Sequence, residues 1–168
     1  MLTAFTIFHV LISLVGIGSG FVAIFGMLAA KRLDRWTLLF LSTTVATSVT
    51  GFMFPFHKLL PSHVVGLVSL VVLALTIVAR YRRHLIGAWR WTYVITAVLA
   101  QYLNVFVLIV QLFRRVPALK AIAPTQTEPP FLIAQVVVMA LFVVLGVLAA
   151  KKFHPQPATI LVQAGSFV

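Results

Sequence analysis

The sequence contains no cysteine and only two acidic residues, and both shortages narrow the chemistry open to it. Without cysteine there are no disulfides, no thiolate metal ligands and no cysteine nucleophile. The two acids, Asp34 and Glu128, lie outside the apolar runs, which argues against paired-carboxylate hydrolysis and against a carrier that needs a carboxylate inside the membrane. The composition therefore favours a non-catalytic protein.

Charge is also scarce, since 9% of the 168 residues are charged and 62% are hydrophobic. Such a chain has too little polar surface to cover a water-soluble globule, so its solvent is expected to be lipid. The net charge of +11 reflects the missing acids, and the basic residues sit at the ends of apolar runs. This placement indicates anionic lipid headgroups as partners and argues against nucleic acid.

Five uncharged apolar stretches are long enough to cross a bilayer, because about 20 helical residues span its ~30 Å hydrocarbon core. Backbone amides inside lipid must be satisfied internally, so all five are predicted to be helices. The first has no basic leader and is predicted to be a retained span, not a cleaved signal. The expected architecture is an all-α, polytopic bundle over 1–150 with a cytoplasmic tail at 151–168, and the predicted helices are 2–30, 36–56, 63–79, 92–113 and 131–150.

The basic residues also predict an orientation, because Lys and Arg are retained on the cytoplasmic side. Nine lie at the first and third connections and the tail, whereas four lie at the other connections. This split predicts an outside N-terminus and an inside C-terminus. Amphipathic aromatic residues gather at the predicted inner interface, namely Trp36, Tyr81, Trp89, Trp91 and Tyr93.

Polar residues within the apolar runs are informative, because a buried polar group in lipid needs a partner. The predicted first helix carries His9 above a Gly16-x-x-x-Gly20 stripe that favours close helix packing, and the second is rich in hydroxyls. Three amides share one face of the fourth helix, and a long proline-rich outer segment follows it. We expect a ligand-binding site in the outer half of the bundle, with the candidate residues His9, His57, Gln101, Asn104, Gln111, Arg114, Arg115 and Glu128.

Three functions remain open on these residues. The first is a non-catalytic membrane subunit that binds a protein partner, a quinone or a lipid, alone or as a homo-oligomer. The second is a small solute transporter or channel component, with hydroxyls and amides along a polar route. The third is an electron-transfer protein that holds a b-type haem between His9 and His57, two histidines expected at equal depth.

The stretches 47–56, 101–106 and the proline-rich segment ending at Phe131 resemble those of a group of small bacterial inner-membrane proteins. The resemblance extends over nearly the whole chain. It implies a multi-pass protein of the bacterial inner membrane, and it implies no activity and no functional residue.

Overall fold

A computed structural model describes residues 2–54 and 61–154, and within these ranges the ordered elements are all helical. α1 is Leu2–Leu28, α2 is Asp34–Gly51 and α3 is Pro61–Ile77, which continues into a π-helical turn at Val78–Arg82. α4 is Ala88–Arg115, α5 is the short Pro117–Ile122, and α6 is Pro129–Lys152.

The helix ends have local causes. α1 stops where Ala30 takes a left-handed conformation and the amide of Lys31 bonds back to the carbonyl of Gly26, a standard C-terminal cap. The chain reverses before α4 through left-handed backbone at His84, Leu85 and Gly87. Proline near the first turn, where its missing amide hydrogen costs nothing, begins both α5 and α6.

Four helices in the described part of the chain are long and apolar enough to cross a membrane. They are Thr3–Leu28, His63–Arg82, Ala88–Arg115 and Pro129–Lys152. α2 is shorter and carries several hydroxyls, so it does not reach the same mean hydropathy. The expectation of an all-helical membrane protein is thereby confirmed in outline.

The long helices run in alternating directions between two ends of the bundle. At one end, here called the basic end, the start of α2 contacts the π-turn through Asp34 and Arg80. At the opposite end the start of α1 contacts the end of α2 through His9 and Thr50, and the ring of His63 at the start of α3 lies 5.7 Å from that of Phe52. α2 therefore runs antiparallel to α1, from the level of Gly20 to that of His9.

Most helices continue past the predicted limits. The π-turn carries the third helix to Arg82, α4 starts at Ala88 and α6 covers 129–152, because charged residues at helix ends reach the interface without breaking the helix. α2 ends at Gly51, with Phe52–Phe54 in a turn. α5 lies inside the long proline-rich segment that follows α4.

The main apolar core lies toward the basic end and is built from all the long helices. Its most buried members include Ile24, Phe40, Leu73, Tyr93 and Phe153. A second, smaller cluster of Phe113, Ala123 and Phe131 closes the opposite end beneath α5. Much of the outer surface of α6 is apolar and exposed, as expected of a face that lipid solvates.

Candidate functional site

Glycines let α1 approach its neighbours closely. A Cβ at Gly16 would lie 3.1 Å from the hydroxyl oxygen of Thr43, and one at Gly20 would lie 2.0 Å from Oε1 of Gln101. The second distance is below any real contact, so Gln101 can occupy its position only because residue 20 has no side chain. The glycine stripe thus serves close helix packing, as the sequence predicts.

Two of the predicted amides join helices at mid-depth. Gln101 is fully buried and its Nε2 donates to the carbonyl of Ile17 at 2.8 Å. Asn104 donates from Nδ2 to the hydroxyl of Thr44 at 3.1 Å. Oε1 of Gln101 has no hydrogen-bond partner in the described residues. It occupies the space that a Cβ of residue 20 would fill. These contacts tie α4 to both α1 and α2.

His9 lies nearer the opposite end of the same seam. Its Nδ1 is 2.8 Å from Oγ1 of Thr50, and its ring meets the edge of Phe54 at a centroid distance of 5.2 Å. Phe5 in turn packs on Phe54 at a centroid distance of 4.9 Å. Ser13 donates to the His9 carbonyl at 2.6 Å, one turn deeper. The imidazole is only partly buried.

His9 and Gln101 do not share one compact pocket. Gln101 bonds at Ile17, eight residues from His9, a rise of about 12 Å along α1. Asn104 lies between these depths, at Thr44. The three residues form a line along the seam of α1, α2 and α4. His9 lies at the end of this line that is farthest from the basic end, and it is more exposed than Gln101.

Three of the hydroxyls of α2 bond within their own helix. Thr43 donates to the carbonyl of Leu39 at 2.6 Å, and Thr50 donates to that of Ala46 at 2.7 Å. Ser42 bonds to the same Leu39 carbonyl at 3.1 Å. Such back-bonding satisfies each hydroxyl without water or a partner helix.

The other candidates at the opposite end lie on the surface. Gln111, Arg114 and Arg115 are exposed at the end of α4. His57 lies outside the described residues, so its pairing with His9 stays a prediction. Within the described residues, no group of three or more His, Cys, Asp or Glu side chains could hold a metal ion.

Glu128 organises the proline-rich segment. Its carboxylate accepts from the hydroxyl of Thr125 at 2.8 Å and from the backbone amides of Thr125 and Thr127, both at 3.1 Å. Partial desolvation raises the pKa of Glu128, but these hydrogen bonds to the ionised form lower it more, so the net pKa lies below its ordinary value. Gln126 anchors the same segment by donating to the carbonyl of Val110 at 2.8 Å.

The basic end holds a cluster that the sequence reasoning missed. The charge pattern places Arg80 among the basic residues of the third connection that are expected to contact lipid headgroups, yet its side chain is 1% exposed. It pairs with Asp34 and donates to the Tyr93 hydroxyl at 2.8 Å. Tyr93 was expected to be a membrane-interface anchor and is instead buried beneath this arginine. A clue was present in the composition, because one of only two acids stands at the start of a predicted span.

Comparison with known proteins assigns no family to this arrangement. No family model, no curated protein and no solved structure matches the chain. The function must therefore be argued from the side chains just described.

Proposed function

We propose that this chain is a five-span protein of the bacterial inner membrane, with its N-terminus outside and its C-terminus inside. The alternating helix directions support five crossings, because α2 runs antiparallel to α1 from the basic end to the level of His9. Its 18 residues extend about 27 Å, close to the thickness of a bilayer core. Back-bonded hydroxyls lower the cost of placing α2 in lipid.

Within that membrane we propose that the protein binds, without chemical conversion, a lipophilic ligand of the quinone type at His9. The observation that carries this proposal is the imidazole held at Nδ1 by Thr50, since that bond fixes the ring and directs Nε2 to a ligand. Because the Thr50 hydroxyl donates to the carbonyl of Ala46, Nδ1 of His9 donates to Thr50, and Nε2 of the neutral ring accepts a hydrogen bond from the hydroxyl of a reduced quinone.

The surroundings of His9 suit a planar, apolar-bodied ligand. Phe5 and Phe54 offer ring faces and edges for an aromatic head group. The partial exposure of the histidine toward the membrane leaves a route for a ligand that arrives through lipid. An isoprenoid tail can remain among the exposed apolar side chains of α1, such as Phe8 and Leu11.

Binding fits these residues better than transport does. A solute path needs polar groups that are free to exchange partners, whereas Gln101 and Asn104 are already engaged between helices. Thr43 and Thr50 of α2 are engaged with their own backbone. The deeper amides act as a polar seam that holds the bundle together, and the accessible histidine is left for the ligand.

The test is quinone binding by the full-length protein in detergent micelles. We expect purified wild-type protein to retain bound quinone, or to bind added ubiquinol or menaquinol at about one molecule per chain, measured by extraction and chromatography. His9→Gln should lose most of this binding. His84→Gln, which changes an exposed histidine at the basic end, is the matched control and should keep it.

Two results would overturn this assignment. One is an absence of quinone binding at saturating ligand, and the other is equal binding by wild-type protein and His9→Gln. An absorption spectrum of the same preparation distinguishes haem binding from quinone binding. A Soret band that disappears in His9→Gln would show that the ligand at His9 is haem.

A further inference from the structure

A cleft of about 380 Å³ opens at the basic end, lined by Val78, Arg82 and Arg83. It forms where α3 passes into the π-turn, in which the amide of Arg83 bonds to the carbonyl of Val78, five residues back. A π-turn adds one residue to the helical register and is often found at functional sites. Here it presents two consecutive arginines beside one cleft.

These arginines have no side-chain carboxylate to neutralise them. The chain has two acids, and Asp34 is occupied by Arg80 and, at 3.6 Å, by Arg32. Glu128 lies at the opposite end of the bundle and is held by Thr125. Arg82 and Arg83 are exposed, so an anion from outside the chain can reach them.

One of the two guanidinium groups is already positioned. Arg83 lies 4.9 Å from the centroid of the Trp89 ring, a cation–π contact that limits its freedom. An oriented guanidinium can form paired hydrogen bonds to phosphate oxygens, the strong form of this interaction. Less conformational entropy is then lost when a phosphate binds.

The apolar surface around the cleft indicates a lipid as the source of that phosphate. Ile86 is 72% exposed and Tyr81 is 45% exposed, next to the arginines in the chain. Val78 contributes an apolar wall to the cleft itself. A dissolved ion would gain nothing from these side chains, whereas a phospholipid places glycerol and acyl carbons against them.

We propose that Val78, Arg82 and Arg83 form a binding site for the phosphodiester headgroup of an anionic phospholipid such as phosphatidylglycerol. The site requires that the protein lie in a membrane, and it does not depend on the ligand proposed for His9. The two proposals concern opposite ends of the bundle, so each can fail without the other.

The test is native mass spectrometry of the full-length protein in detergent, titrated with phosphatidylglycerol and, separately, with phosphatidylcholine. The double variant R82Q/R83Q should bind phosphatidylglycerol about tenfold or more weakly than wild type, since hydrogen bonds to charged groups are lost. The control is R114Q/R115Q, which removes two consecutive exposed arginines at the opposite end and should bind as wild type does.

Three outcomes would overturn the proposal. They are unchanged binding by R82Q/R83Q, equal losses in both double variants, and complete displacement of the lipid by millimolar inorganic phosphate, which would mark a simple phosphate site. Circular dichroism checks that the variants keep their helices. If R82Q/R83Q cannot be purified, the single variant Arg82→Gln should bind several-fold more weakly, and unchanged binding would contradict the site.

Discussion

At the scale of single residues, Arg80 shows that each carboxylate matters in a chain with few acidic residues. A guanidinium in an apolar bundle is costly unless it is paired and hydrogen-bonded. Asp34 supplies the pair, and Tyr93 supplies an acceptor oxygen and a ring face 5.1 Å away. Because the chain has no spare carboxylate nearby, nothing else can replace Asp34.

Loss of this carboxylate should therefore weaken the fold. We expect Asp34→Asn to lower the free energy of unfolding by about 1–3 kcal/mol, because the charge on Arg80 stays buried without a counterion. Reversible unfolding in mixed micelles measures it. Arg32→Gln is the control, since it removes only the more distant, solvent-side partner and should change stability by well under 1 kcal/mol.

A second change can show that burial of Arg80 is the cause. Adding Arg80→Met to Asp34→Asn removes the orphaned charge and should recover part of the lost stability. Equal stability of wild type and Asp34→Asn would count against the role given to this ion pair.

At the scale of elements, a neighbouring helix approaches one face of α1 closely, whereas the face at Gly18 has no such neighbour. Gly20 faces Gln101 of α4 and a Cβ there would clash, whereas a Cβ at Gly18 meets no heavy atom within 4 Å. The two glycines stand two residues apart, on different sides of the same helix. They therefore provide a comparison within one helical turn.

Gly20→Ala should destabilise the bundle by about 1–3 kcal/mol, the usual cost of overpacking. Its added methyl must push the Gln101 amide from its bond to Ile17. Gly18→Ala should leave stability nearly unchanged. Thermal unfolding of both variants in the same detergent measures the difference, and similar melting temperatures would show that Gly20 is not a tight contact.

At the scale of the whole molecule, α2 decides whether the chain crosses the membrane four or five times. Its hydroxyls and its charged first turn keep it below the hydropathy of its four neighbours. Its position, from Asp34 at the basic end to Thr50 at the opposite end, supports the proposed fifth crossing. Nine basic residues lie at the basic end. Arg80 is buried, and the other eight still support the charge-based orientation.

Reporter fusions test this topology. A fusion in the 31–33 connection and one at the C-terminus should report the cytoplasm, where green fluorescent protein folds, and one at 55–60 should report the periplasm, where alkaline phosphatase is active. If α2 does not cross, the fusions at 31–33 and 55–60 will report the same side. A periplasmic C-terminus would contradict the charge-based orientation.

The helical fold and its apolar, membrane-length helices could be predicted from composition and run length alone, because lipid leaves few ways to satisfy a backbone. The separation of His9 from Gln101, and the burial of Arg80 and Tyr93, could not. Periodicity assigns residues to a face, but depth and partner depend on how neighbouring helices are staggered. That stagger is set by contacts such as Gly20 against Gln101.

The amino-acid sequence by itself therefore determined the solvent, the helices and the charge asymmetry of this protein, since each follows from local composition. Only the tertiary structure decided which polar groups are used up in holding helices together and which are left accessible. It left His9 partly exposed at one end, and Arg82 and Arg83 exposed at the other. The physical reason is that a polar group inside a bundle is satisfied by distant parts of the chain, through bonds that sequence spacing does not encode.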